Sequence, residues 1–249
     1  LGIGVPIHEA YGMTENTAIA TANFVDRLRI GTVGEVQPDT ELRLDESTGE
    51  ILTRHPGVFP GYWHRPEDTA AVLDADGWLH TGDVGEWVDD THLRIVDRIK
   101  DIIITAGGKN ISPSEIENQI RTSPFIKEVV VIGDRRPYLT ALVGIEFDTV
   151  ADWAARRKLT YTTYRDLSSK PEVVALVGEI VAATNARLAR VESVRKFRMI
   201  VKELDHEDGE LTATQKVRRV AFAEGVPHLI EDMYAGTEEH PGADLGRAG

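Results

Sequence analysis

Tyr11-Gly12-Met13-Thr14-Glu15 sets an aromatic ring, a glycine, a hydroxyl and a carboxylate within five residues. The glycine permits close backbone approach, the ring can stack, Thr14 can donate a hydrogen bond and Glu15 can ligate a cation. Taken alone the stretch reads as a surface loop whose tyrosine packs and whose Thr-Glu opens a helix. Residues further along the chain alter that reading.

Thr81-Gly82-Asp83 falls between two predicted strands. There Gly82 lets a ligand approach, and Asp83 can accept two hydrogen bonds from a vicinal diol, as a carboxylate grips a ribose. The plain alternative is a turn in which Asp83 caps a local backbone amide. Asp97-Arg98-Ile99-Lys100-Asp101 reads either as two surface ion pairs, each contributing about 0–1 kcal/mol, or as Arg98 on a nucleotide with Lys100 as a pivot. Gly107-Gly108-Lys109 is not a phosphate loop of the GxxxxGK[ST] type, because the earlier glycine is missing and Asn110 stands where Ser or Thr belongs. Glu210 to Arg219 forms a polar loop with Lys216 ahead of a helix. That lysine is either a solvated side chain or a mobile cation for charge developing between a carboxylate and a phosphate. Arg187, Arg190, Arg195, Lys196, Arg198 and Lys202 read most simply as a solvated basic face.

These residues need a scaffold, and 249 residues suffice for two modest domains with a sizeable core. The net charge of -13 is unevenly spread: residues 1–97 hold 18 acids against 6 bases, and residues 98–249 hold 23 against 22. That asymmetry places a boundary at Asp97-Arg98. An acidic total argues against nonspecific nucleic-acid binding. With no cysteine, disulfides, thiolate metal sites and cysteine nucleophiles are excluded, which fits a reducing cytosolic setting. No 18-residue apolar run occurs, although peripheral membrane association leaves no such mark. The opening at Leu1, without Met or a signal-peptide pattern, reads as a cut inside a larger protein.

Short β-type runs at 32–36, 41–44 and 50–54, broken by turn residues, predict a small antiparallel sheet or barrel. Pro66 opens a short helix, and Asp89-Asp90 separates the strands of a hairpin. In the second half the apolar run 99–105 predicts a strand, and Ser112-Pro113-Ser114-Glu115 predicts a helix start. Strands are expected at 129–132, 139–145 and 194–201, and helices over 171–190 and after Val217. The tail from Ala235 is polar, glycine-rich and expected to be disordered.

Taken in order, YGMTE (11–15), GEILTRHPGVFPGYW (49–63), GWLHTGD (77–83), DRIKDIIITAGGKNISPSEIE (97–117) and LTATQKVRR (211–219) resemble successive motifs of the adenylate-forming superfamily that includes acyl-CoA synthetases. The segment from Asp148 to Arg190, together with DGWLHTGD, looks most like the long-chain fatty acyl-CoA synthetases. The fold this implies is α/β and α+β. Residues 1–97 would be the C-terminal portion of the large nucleotide- and acyl-binding domain, with its small antiparallel sheet, joined by a hinge to a mobile α+β domain over 98–234, with 235–249 as tail.

By the same resemblance Tyr11 and Gly12 lie by the adenine, Thr14 contacts the α-phosphate and Glu15 holds Mg²⁺. Asp83 binds the ribose hydroxyls, Arg98 the nucleotide beside it, and Lys216 stabilises the adenylation transition state. Lys100 is the hinge about which the C-terminal domain turns, bringing Gly107-Gly108 to line the CoA thiol tunnel. The implied substrates are fatty acid, ATP and CoA. Two departures stand out: Gln215 occupies the place where many members have glycine, and the family's Ser/Thr/Gly-rich phosphate loop, expected before Tyr11, is absent from these residues. The chain alone is therefore expected not to adenylate. Alternatives are a fatty acyl-AMP ligase that loads a carrier protein, and a non-catalytic nucleotide-binding or interaction module.

Overall fold

A computed structural model describes residues 4–204, 219–235 and 240–245. It divides into two compact units, Leu1–Asp101 and Ile102–Gly249. The charge break at Asp97-Arg98 lies inside a strand, just before that division. Among the described residues no helix is long and apolar enough to cross a membrane.

The first unit holds two antiparallel sheets. One joins β1 (Ala10–Tyr11), β2 (Thr21–Ala22) and β3 (Glu35–Val36) in that order. The other is a meander of β4 (Glu41–Leu44), β5 (Glu50–Arg54), β6 (Leu79–Trp87) and β7 (Leu93–Arg98), with helix α1 (Pro66–Val72) between β5 and β6. Ile51, Leu52, Leu79, Val84 and Leu93 are buried at its centre. The turn into β6 is fixed by Asp74, whose Oδ1 accepts the amides of Asp76 and Trp78 at 2.9 Å each. Trp78 then lies under two guanidinium groups, Arg43 at 4.3 Å and Arg54 at 4.5 Å from its ring centre, and Arg54 is itself held in a forked pair by Glu41.

The second unit begins with the small ribbon β8 (Ile103–Ile104) and β9 (Asn110–Ile111). The strand predicted over 99–105 is not continuous: Ile99–Asp101 is a single 3₁₀ turn. Only Ile103 of that apolar run is buried, Ile104 being half exposed, and the Ile104 amide donates to Asp134 Oδ1 rather than to a ladder. Helix α2 (Pro113–Arg121) starts as its residues dictate, with Pro113 in the first turn and the Ser112 hydroxyl accepting the Glu115 amide.

The main sheet runs β10 (Ile126–Ile132), β11 (Leu139–Ile145), β12 (Val194–Met199) and β13 (Gly242–Asp244). Strand β11, buried at every residue, pairs antiparallel with β10 and parallel with β12. Its run, apolar but for Thr140, suits a strand covered on both faces. Between β11 and β12 come α3 (Phe147–Arg156), α4 (Tyr164–Ser168) and α5 (Pro171–Asn185). The helix predicted to reach residue 190 stops at Asn185, whose side-chain amide donates to Val194 O at 2.8 Å and accepts the Val194 amide at 2.9 Å. That exchange mimics a backbone pairing and ties the helix end to β12. Helices α6 (Arg219–Gly225) and α7 (Pro227–Ala235) cover Val130, Leu142 and Ile200 with Phe222, Leu229 and Met233.

The expectation of disorder from Ala235 onward is corrected at β13. Its three residues pair antiparallel with Lys196, Phe197 and Arg198, and Ala243 and Leu245 pack on the core. A strand edge offers a row of unpaired amides that even a short, polar segment can satisfy.

Candidate functional site

Asp83 owes its position to an irregularity in β6. Leu52 pairs with His80 and Glu50 with Val84, so Ile51 alone faces Thr81, Gly82 and Asp83. The TGD stretch is thus a bulge within one strand, not a link between two strands as the sequence suggested. A bulge breaks the ladder, and the freed groups find side chains instead. The Thr81 hydroxyl donates to Ile51 O at 2.7 Å and accepts the Asp83 amide at 3.1 Å, and the Gly82 amide donates to Glu50 Oε1 at 2.9 Å. Gly82 has φ +70°, a conformation that glycine adopts without cost.

The bulge presents the buried Asp83 carboxylate to two donors. Tyr11 Oη donates to Oδ2 at 2.7 Å, and Arg98 Nε lies 3.0 Å from Oδ1. Arg98 sits directly opposite Asp83 in the β6–β7 ladder, which explains why these residues, 15 apart in sequence, meet. Burial, reinforced by the Asp83 charge, pushes the Tyr11 phenol well above its usual range, so it remains a proton donor.

On the other side of Gly12, Thr14–Asn16 makes one 3₁₀ turn. Buried Asn16 closes it by accepting the Met13 amide at 2.7 Å. Thr17 and Ala18 come next with φ of 60° and 72°, and the Thr17 hydroxyl donates to Gly57 O. Glu15 O accepts the Phe59 amide at 2.8 Å, while its carboxylate accepts Tyr62 Oη at 2.7 Å. That hydrogen bond raises the Tyr62 pKa. The 49–63 stretch therefore supports the 11–15 stretch directly. The role of Tyr62 is invisible in the sequence, since only the fold brings a residue 47 positions away onto Glu15.

Gly12 cannot carry a side chain: a Cβ there would lie 2.1 Å from the carbonyl carbon of Ala18. Gly12→Ala is expected to force the 11–18 loop outward, destabilising the unit by about 1–3 kcal/mol. Urea unfolding followed by tryptophan fluorescence measures this, and an unchanged midpoint contradicts it.

Thr14 is exposed beside Glu15. Lys100 is exposed in the 3₁₀ turn that ends the first unit. Gly107 and Gly108 form the exposed tip between β8 and β9, where the Gly108 amide donates to Thr105 O at 2.8 Å. Lys216 lies outside the described residues. Arg219, three positions later, is anchored: its guanidinium forms a fork with Glu117 of α2 and donates to Val131 O at 3.0 Å. Among the described residues no group of three or more potential metal ligands converges. Glu15 would be a single protein carboxylate, a donor set that suits Mg²⁺ carried largely by phosphate oxygens.

A strand-borne carboxylate is thus bracketed by a buried tyrosine and an arginine, in the same unit as a glycine-tight loop bearing Thr14 and Glu15, and its oxygens can accept further hydroxyl donors. Residues 100–238 match the AMP-binding enzyme C-terminal domain family, and residues 1–63 match the AMP-binding enzyme family. The chain belongs to these adenylate-forming AMP-binding enzymes. Within the family it is similar to proteins named as fatty-acid–CoA ligases. It is 42% identical over 235 residues to FadD11 of Mycobacterium tuberculosis, covering 94% of this chain and 41% of that protein. It is 39% identical over 235 residues to the long-chain-fatty-acid–CoA ligase FadD15 of Mycobacterium bovis, covering 94% and 39%. Among solved structures, the adenylation domain of a carboxylate reductase from Mycobacterium chelonae superposes with a TM-score of 0.70 at 25% identity, over 92% of this chain and 34% of that one. The chain thus spans about two-fifths of the length of these curated relatives.

Proposed function

We propose that residues 1–249 form the part of an ATP-dependent long-chain fatty acid–CoA ligase that completes its nucleotide site and carries its mobile domain. The observation that supports this best is the Asp83 carboxylate, buried in a bulge and held by Tyr11 and Arg98. Each of its oxygens retains acceptor capacity for a ribose hydroxyl. Tyr11 and Gly12 would lie by the adenine, Thr14 at the α-phosphate and Arg98 beside the ribose.

In the first half-reaction a fatty acid carboxylate oxygen attacks the α-phosphorus, the bond to the bridging oxygen breaks and pyrophosphate leaves. Both partners are anions, so the barrier is largely electrostatic. Mg²⁺, when bound, supplies charge neutralisation on the phosphates. Glu15 is its candidate protein ligand, and Lys216 is the candidate cation for the charge that develops. In the second half-reaction the CoA thiolate attacks the acyl carbonyl carbon and AMP leaves. The domain over 98–234 would turn about Lys100 between the two steps and bring Gly107-Gly108 to the pantetheine arm.

The test is AMP release from ATP and palmitate by a polypeptide carrying residues 1–249 behind the rest of an AMP-binding domain. Release that depends on CoA and yields palmitoyl-CoA is the expected result. Acyl-adenylate transferred only to a carrier protein overturns the CoA assignment, and no fatty acid-dependent pyrophosphate release overturns the ligase assignment. Residues 1–249 alone are expected to give neither product.

A further inference from the structure

We infer that Glu50 is a positioning residue that sets how Asp83 grips the ribose; this rests on the nucleotide reading above. The bulge at 81–83 removes two amides from the β5–β6 ladder. That of Asp83 is taken by Thr81 within the bulge, but that of Gly82 is taken only from outside, by Glu50 Oε1 at 2.9 Å. Gly82 has no side chain to lock its conformation, so this charge-assisted bond is what holds φ at +70°. Asp83 is the next residue, and its direction is set by that φ.

Glu50 is itself fixed at its base. Its backbone pairs with Val84, its amide donates to Thr48 Oγ1 at 3.1 Å, and its carbonyl accepts the Asp45 amide at 2.8 Å. The Asp45 carboxylate braces the turn before it by accepting the Ser47 and Thr48 amides. The second Glu50 oxygen lies 3.0 Å from His80 Nδ1. An isolated Glu50–His80 surface pair would contribute little to stability and would not bear on Asp83. The Glu50 side chain is 13% exposed, however, and its other oxygen is committed to the bulge amide.

The experiment compares ATP with 2′,3′-dideoxy-ATP, which lacks both hydroxyls Asp83 would hold, in the polypeptide described for the ligase assay. Steady-state constants are measured for the unsubstituted protein and for Glu50→Ala, Glu50→Gln and Asp83→Ala. Glu50→Ala is expected to raise KM for ATP about tenfold, leave kcat within about threefold and flatten the preference over the dideoxy analogue, the change expected when a hydrogen bond to a charged group no longer aligns its neighbour. Glu50→Gln keeps an oxygen that can accept the Gly82 amide and is expected to restore that preference. A merely structural role for Glu50 would lower activity with both nucleotides equally. Unchanged selectivity in Glu50→Ala, with selectivity lost in Asp83→Ala, overturns the role of Glu50 alone. Unchanged selectivity in Asp83→Ala overturns the nucleotide reading itself. Should Glu50→Ala fail to fold, Glu50→Asp, one methylene too short to reach the Gly82 amide, carries the same test, and full retention of selectivity there counts against the proposal.

Discussion

Lys216→Ala is expected to lower fatty acid-dependent ATP–pyrophosphate exchange by about 10²–10³-fold or more, the range seen when a preorganised group aimed at developing charge is removed. It is expected to leave thioester formation from supplied acyl-adenylate within about threefold. The two proposed half-reactions would differ in charge: the first would bring a carboxylate onto a polyphosphate, the second would release AMP from a neutral acyl carbonyl under thiolate attack. A cation serving only the first should separate them. The structure bears on this through the segment just after Lys216. Arg219 opens α6 with its guanidinium forked onto the buried Glu117, whose Oε1 also accepts the Val131 amide at 2.7 Å. Three residues after Lys216 the chain is therefore anchored to both α2 and β10, and Lys216→Ala should leave that anchor and the fold of the second unit intact. Equal loss of both half-reactions, with unchanged thermal unfolding, contradicts the assignment.

The sequence was legible where one residue type admits few structures. Ser112-Pro113 starts a helix, the run at 139–145 is a strand buried throughout, and Asp89-Asp90 turns a hairpin. Adenylate-forming character was likewise legible, because five motifs in order constrain one another more than any one constrains itself. What escaped depends on partners distant in sequence. The TGD stretch looks like a turn because Gly82 is glycine, and only the pairing of Leu52 with His80 and Glu50 with Val84 reveals a bulge inside β6. Glu50 reads as an ordinary polar strand start until its carboxylate is seen on the Gly82 amide. The 99–105 run is apolar enough for a strand, yet hydrophobicity does not say that Ile99 and Ile104 stay exposed. Residues 242–244 carry little strand propensity, and the open edge of β12 decides their state.

The basic stretch from Arg187 to Lys202, which reads as a solvated face, contains the largest departure, and it yields the largest expected effect on stability. Arg198 is buried on β12, with Nε 2.6 Å from Asp232 Oδ2 of α7 and both side chains 3% exposed. Its Nη1 also donates to Phe197 O at 2.9 Å. Asp232→Ala removes the carboxylate facing a guanidinium that is out of reach of bulk water, and is expected to cost about 3–5 kcal/mol. That is a large fraction of the stability of an ordinary domain, about 5–15 kcal/mol in all. The pair itself is a different quantity, because burying both charges carries a desolvation cost that their attraction only partly offsets. Arg198→Met combined with Asp232→Leu, which fills the space with apolar atoms, is therefore expected to recover most of the loss. Urea unfolding of the single and double variants, followed by far-ultraviolet circular dichroism, measures both quantities. A double variant as unstable as Asp232→Ala would mean that the ions do more than cancel each other, and that the join of α7 to the sheet depends on the charge pair rather than on packing.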